Sequence, residues 1–112
     1  VTTKPRDVAR LGLDMFGLSA YFDLLLAYED VECTKPDPEG IYKSMSRLGR
    51  TKGVMTGDSP ADIRAGKNAG VYTAGVEWTF KPVKILTDLS PDLMLGKMED
   101  LIPFVERVER SL

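Results

Sequence analysis

Histidine is absent from this 112-residue sequence, and cysteine and tryptophan each occur once. Without imidazole there is no ordinary base to activate a serine or cysteine nucleophile, and the commonest zinc ligand is missing. A single cysteine, Cys33, makes no internal disulfide, which fits a reducing compartment and suggests the cytoplasm. No apolar run approaches the ~20 residues that cross a bilayer. Leu24-Leu25-Leu26 is the size of a core segment, and no signal peptide is read at the start. An excess of charge of one sign is lacking too: 15 basic against 17 acidic residues leave a net charge of -2, so neither nucleic acid nor a membrane surface is an expected partner. Chemistry in this chain has to run on carboxylates, hydroxyls, lysine and a hard metal.

The most informative stretch runs from Gly53 to Gly70. An apolar strand, Gly53 to Met55, reaches a glycine turn at Gly57; Asp58 and Asp62 follow four residues apart; a helix rich in small residues then ends at a glycine. In an open parallel sheet, ligands sit outside the carboxyl ends of the strands, so Asp58 is expected in a site with Asp62 one helical turn behind it. Magnesium is commonly held by one or two carboxylates with waters and phosphate oxygens, which makes Asp58 a candidate ligand and Asp62 its support. The plainer reading is a turn in which Asp58 or Ser59 caps the helix and Asp62 lies in its first turn.

The other elements follow the same alternation. Val1-Thr2-Thr3-Lys4-Pro5 reads as the tail of a strand entering a helix, with a hydroxyl residue at the cap and Pro5 in the first turn, and one face of residues 5 to 16 is expected to bury Val8, Leu11, Gly12, Met15 and Phe16 before a stop at Gly17. Phe22 to Tyr28 reads as an interior strand. The turn Lys35-Pro36-Asp37-Pro38 then leads into a helix with Ile41, Met45 and Leu48 on its buried face. A lysine is ordinarily surface charge, but Lys35 sits before a rigid turn at a strand end. Val71 to Val76 is a further strand, with Trp78 and Phe80 placed to wall a site or simply to pack. Residues 82 to 89 read as a short helix, Asp92 to Leu95 as a last strand, and Glu99 to Leu112 as an amphipathic helix with Leu101, Val105, Val108 and Leu112 on one face. The whole is expected to be one α/β domain, a parallel sheet with helices on both faces.

Thr2, Lys35 and the Gly57-Asp58-Ser59-Pro60-Ala61-Asp62 run, in this order, resemble the haloacid dehalogenase (HAD) superfamily of phosphohydrolases. The resemblance implies a three-layer Rossmann-like fold, with Thr2 matching the second motif, Lys35 the third, and Gly57, Asp58 and Asp62 the fourth. Val1-Thr2-Thr3-Lys4, Ala74 to Thr79 and Pro91 to Leu101 are similar to the inorganic pyrophosphatases and phosphoglycolate phosphatases within it. Family chemistry then implies Mg²⁺ held partly by Asp58, Lys35 offsetting phosphoryl charge, and Thr2 and Thr3 binding phosphate oxygens. The family's first motif, an Asp-x-Asp that supplies nucleophile and acid/base, has no match in these residues, and neither does its mobile cap. Residues 1–112 are therefore expected to be the C-terminal part of such a core domain, lacking the first strand and the cap. Alone the chain is expected to be inactive and to self-associate through an exposed sheet edge.

The resemblance implies pyrophosphate as the first substrate, phosphoglycolate as the second and another small phosphate ester as the third. A non-catalytic module of the same fold is a reading of another class. So is a receiver domain phosphorylated on Asp58, but that needs an acidic pair after the first strand and Lys-Pro after the last, whereas Thr2-Thr3 stands in the first place and Lys35-Pro36 precedes the aspartate. Cys33, two residues from Lys35, is read as a plain thiol, because no histidine is present to serve a cysteine hydrolase.

Overall fold

The computed structural model describes residues 1–79 and 82–110. Its centre is a parallel sheet of three strands, β1 (Val54–Gly57), β2 (Tyr72–Val76) and β3 (Leu93–Leu95), in the order β1-β2-β3. Val54 pairs with Tyr72 and Gly57 with Gly75, while Ala74 pairs with Leu93 and Val76 with Leu95. Parallel neighbours need a crossover, and α3 (Pro60–Ala69) supplies it between β1 and β2. Gly70, at φ 75°, takes the left-handed conformation that ends α3 and lets the chain enter β2 directly. Between β2 and β3 lies the short helix α4 (Lys84–Thr87), which buries Leu86.

Side chains of β2 are buried almost throughout, as expected of a strand covered on both faces. Ala74, Val76 and Leu95 form the centre of the core, with Val54, Leu93 and Leu101 packed against them. Thr73, fully buried, is satisfied by Asp92: the Thr73 N–H donates to Asp92 Oδ2 at 2.8 Å, and the Asp92 N–H donates to Thr73 Oγ1 at 3.2 Å. That exchange fixes the start of β3 against β2. The last helix, α5 (Leu101–Arg110), lays Phe104 edge-on against Tyr72 with ring centroids 5.6 Å apart. Phe104, rather than the Leu101, Val105 and Val108 face alone, is the residue α5 buries most completely. Leu112 lies outside the described residues.

Two expectations from the sequence are overturned. Phe22 to Tyr28 is not a strand: the chain is irregular through Ala27 and then makes a single tight turn over Tyr28–Asp30. Leu26 and Ala27 are buried, but only two backbone bonds tie this run to the N-terminal segment, Thr2 N–H to Leu26 O at 2.9 Å and Tyr28 N–H to Lys4 O at 3.0 Å. Their offset does not form a continuous ladder, so Val1–Thr3 is not a strand either. Asp30 reinforces the turn by accepting the Ala27 N–H at 2.7 Å, which lowers its pKa.

The second concerns α1 (Arg6–Met15). It forms where the periodicity places it, yet it buries no residue. Val8, Leu11, Met15 and Phe16 are 51 to 76% exposed. No element among the described residues covers that face. The remaining helix, α2 (Glu39–Leu48), buries Gly40 and Ile41 and ends at Gly49. Among the described residues, no helix is long and apolar enough to cross a membrane.

Candidate active site

β1 ends at Gly57, and the glycine is required by what lies against it. A Cβ at this position would collide with the carboxylate of Asp62, so the strand can run this close to the first turn of α3 only without a side chain. Ser59 caps α3 in a reciprocal arrangement: its hydroxyl accepts the Asp62 N–H at 3.4 Å, and Asp62 Oδ2 accepts the Ser59 N–H at 3.2 Å and hydroxyl at 3.0 Å. The plainer expectation for this loop is therefore met by Ser59. Capping does not exhaust Asp62, which is only 6% exposed. Its second oxygen, Oδ1, receives the ammonium of Lys35 at 2.5 Å.

That pair joins two stretches 27 residues apart, with side chains 14% and 8% exposed. Lys35 Nζ also lies 3.5 Å from the carbonyl oxygen of Val1. An ammonium has three N–H donors, so one remains for an incoming oxygen after both contacts are made. The loop that presents Lys35 is held by Glu39 at the start of α2. The Glu39 carboxylate accepts the N–H of Glu32 with both oxygens and that of Cys33 with one, all at 3.0 Å, and pairs with Lys43 at 2.9 Å. The Cys33 N–H bond, followed by the Lys43 and Glu32 contacts, pulls the pKa of Glu39 from 4.5 to about 2. Past the lysine, Lys35-Pro36 is a cis peptide, and the side-chain amide of Asn68 in α3 donates to Pro36 O at 2.9 Å.

Thr2, Thr3 and Lys35 line one cleft, together with Thr34 and Asp37. Thr2 is half-buried and its Oγ1 accepts the Lys4 N–H at 3.2 Å; Thr3 is exposed. The structure thus gathers Thr2, Thr3 and Lys35, and adds Asp62 through the ion pair. Asp58 is exposed in the loop after β1 and does not line this cleft. Among the described residues its carboxylate has no side-chain partner, and no group of three His, Cys, Asp or Glu residues gathers as a metal site. Thr79 Oγ1 donates to Asp58 O at 3.4 Å, which ties the loop after β2 to the loop after β1. Trp78 beside it is 50% exposed. Phe80 lies outside the described residues. Glu39 and Asn68 carry weight here that the sequence reading did not assign to them, whereas Ser59 takes the cap that reading offered it.

The sequence pattern of the haloacid dehalogenase-like hydrolases matches residues 1–76, which covers the cleft, Lys35, Asp58 and Asp62. The chain belongs to that family. Among curated relatives, it is 47% identical over 104 residues to a protein of Bacillus velezensis named pyrophosphatase PpaX, with 91% of this chain and 48% of that protein aligned. A protein of Halalkalibacterium halodurans with the same name is 44% identical over 107 residues, covering 94% of this chain and 50% of that one. The chain therefore spans about half the length of the curated relatives it matches. Among solved structures, a protein of Thermotoga maritima assigned as a β-phosphoglucomutase superposes with a TM-score of 0.81 at 28% identity, over 96% of this chain and 51% of that one. A predicted phosphoglycolate phosphatase of Haemophilus somnus gives a TM-score of 0.85 at 24% identity over 94% of this chain and 48% of that one, a likeness of fold.

Proposed function

We propose that this chain is the C-terminal part of the core domain of a phosphohydrolase that releases phosphate from pyrophosphate through an aspartyl-phosphate, with the nucleophile carried on a segment outside these 112 residues. The observation that carries the reading is the Lys35 ammonium, seated on Asp62 beside a cleft that Lys35, Thr2 and Thr3 line together. In the complete protein Lys35 offsets the negative charge that gathers between nucleophile and phosphoryl group, while Thr2 and Thr3 donate to phosphoryl oxygens. Asp62 keeps the ammonium in place, and with both its oxygens already occupied it acts on the site through Lys35 rather than as a direct metal ligand. Asp58 is the residue of this chain that fits Mg²⁺: a hard-oxygen donor, exposed at the end of β1 and without a side-chain partner among the described residues. When bound, the ion would neutralise phosphoryl oxygens.

The choice of pyrophosphate rests on the names of the relatives at 44 and 47% identity. Phosphoglycolate is the second substrate to test. The edge of β1 away from β2 carries the outward N–H and C=O groups of Val54 and Thr56, since alternate residues of a parallel strand face opposite neighbours. A cleft lined by Val1, Ile41, Met45, Val54 and Met55 runs beside it. That edge is where a strand bearing the nucleophile would pair, and where isolated chains would associate. The test is phosphate release from both substrates, with and without Mg²⁺, by the purified chain and by its Asp58→Asn variant. A folded chain should release nothing above the buffer rate. Magnesium-dependent turnover that is abolished by Asp58→Asn would place the nucleophile inside these residues and overturn the reading.

A further inference from the structure

Lys35 can serve as a charge-stabilising group only if its long, flexible side chain is kept at one point. A lysine gives up rotamer entropy when it is held, and much of the benefit of a pre-placed charge is lost if the loop beneath it wanders. The loop from Val31 to Asp37 makes no strand and no helix, so its position is set by side chains that grip its backbone. Two do so from opposite sides. Upstream of the lysine, Glu39 takes the N–H groups of Glu32 and Cys33; downstream, Asn68 donates to the carbonyl of Pro36. Each grip is anchored in a helix: Glu39 in the first turn of α2, with Lys43 one turn on as its counter-charge, and Asn68 near the end of α3, where Tyr42 of α2 donates its hydroxyl to the Asn68 carbonyl at 3.3 Å.

We propose that Glu39 and Asn68 are positioning residues that hold the Lys35 loop between α2 and α3, so that the ammonium stays on Asp62 and on the cleft. The geometry separates the two tasks. Asp62 fixes the far end of the side chain, whereas Glu39 and Asn68 fix the backbone from which it springs. Neither lines the cleft that holds Thr2, Thr3 and Lys35, so neither is placed to touch a substrate there. Asn68 is exposed on α3, and the Pro36 contact is the bond its side-chain amide makes among the described residues. The proposal bears on catalysis only through the role given to Lys35 above; the grip itself can be measured whether or not that role holds.

The experiment is competitive acylation of the lysine amines of the 112-residue chain, quantified residue by residue by mass spectrometry, with thermal melting measured beside it. Lys35, shielded and ion-paired, should label several-fold more slowly than Lys4 or Lys52, and Asp62→Asn should abolish that protection. Asn68→Ala should raise the Lys35 rate at least about 3-fold while leaving the other lysines and the melting temperature unchanged or the latter slightly higher, because alanine at an exposed helical position favours the helix. Glu39→Gln, which keeps an acceptor oxygen but loses the charge, should raise Lys35 by less than Glu39→Ala. A rise confined to Lys35 is something a merely structural role would not produce. Unchanged Lys35 labelling in Asn68→Ala and Glu39→Ala would overturn the proposal, as would a rise shared equally by all lysines in a chain that still melts cooperatively.

Discussion

Helices α1 and α3 are both ten residues long and both have apolar side chains at helical spacing, yet they stand in opposite environments. Ile63 and Ala65 of α3 are completely buried, its cap is reciprocal, and its first turn ties into Lys35. α1 buries nothing, and Leu11 on its apolar face is 61% exposed. Spacing tells which face of a helix is apolar. Whether anything covers that face depends on a partner that local periodicity does not contain. The stability of these 112 residues is accordingly concentrated around β1, α3 and β2, and the segment from Arg6 to Phe22 draws little from packing within the chain.

Three measurements break or sharpen that contrast, taken by expected size. Ile63 of α3 is completely buried, so Ile63→Ala opens a cavity in the core and should cost about 2–5 kcal/mol in denaturant unfolding, whereas Leu11→Ala should stay within about 0.5 kcal/mol. Comparable losses at both sites would mean that α1 is packed in solution. The next effect is the cap: Ser59→Ala removes the acceptor for the Asp62 N–H and one donor to its carboxylate, for about 1 kcal/mol. It should also loosen Lys35, visible as faster labelling of that amine.

The third effect is pH-dependent and has a definite sign. Glu39 titrates at about 2 in the folded loop against 4.5 when free, so its bonds to Glu32 and Cys33 favour the folded loop fully above pH 4.5 and fade as pH falls towards 2. Asp30, also lowered by its bond to the Ala27 N–H, acts in the same direction. Amide exchange at Glu32 and Cys33, corrected for its intrinsic pH dependence, should lose protection over that window while Ile63 keeps its own. Protection in Glu39→Gln that is already low at pH 6 and flat below it would assign the effect to this carboxylate.

The strands at 54–57, 72–76 and 93–95 were legible because each is a short apolar or β-prone run bounded by glycine, proline or aspartate. Phe22–Tyr28 satisfies the same local rule and fails, because a strand also needs a neighbour in register and the segment beside it offers only two offset bonds. In the site, Lys35 was marked by the rigid turn that follows it, and Asp62 by its distance from Asp58. That these two residues meet each other could not be read, since the contact joins the loop before α2 to the first turn of α3, 27 positions on. Asn68 was invisible for a similar reason: its partner is a backbone carbonyl 32 positions away, which leaves no trace in residue type or spacing.

The most direct test joins the N-terminal half of the Bacillus velezensis relative to this chain and measures Mg²⁺-dependent phosphate release from pyrophosphate, with and without the change Lys35→Ala. Turnover by the chimera that falls on the order of 10²–10³-fold in kcat with Lys35→Ala, at unchanged folding, is the expected result for a charge-stabilising group. A folded, active chimera that keeps its full rate without Lys35 would contradict the role given to the Lys35–Asp62 pair.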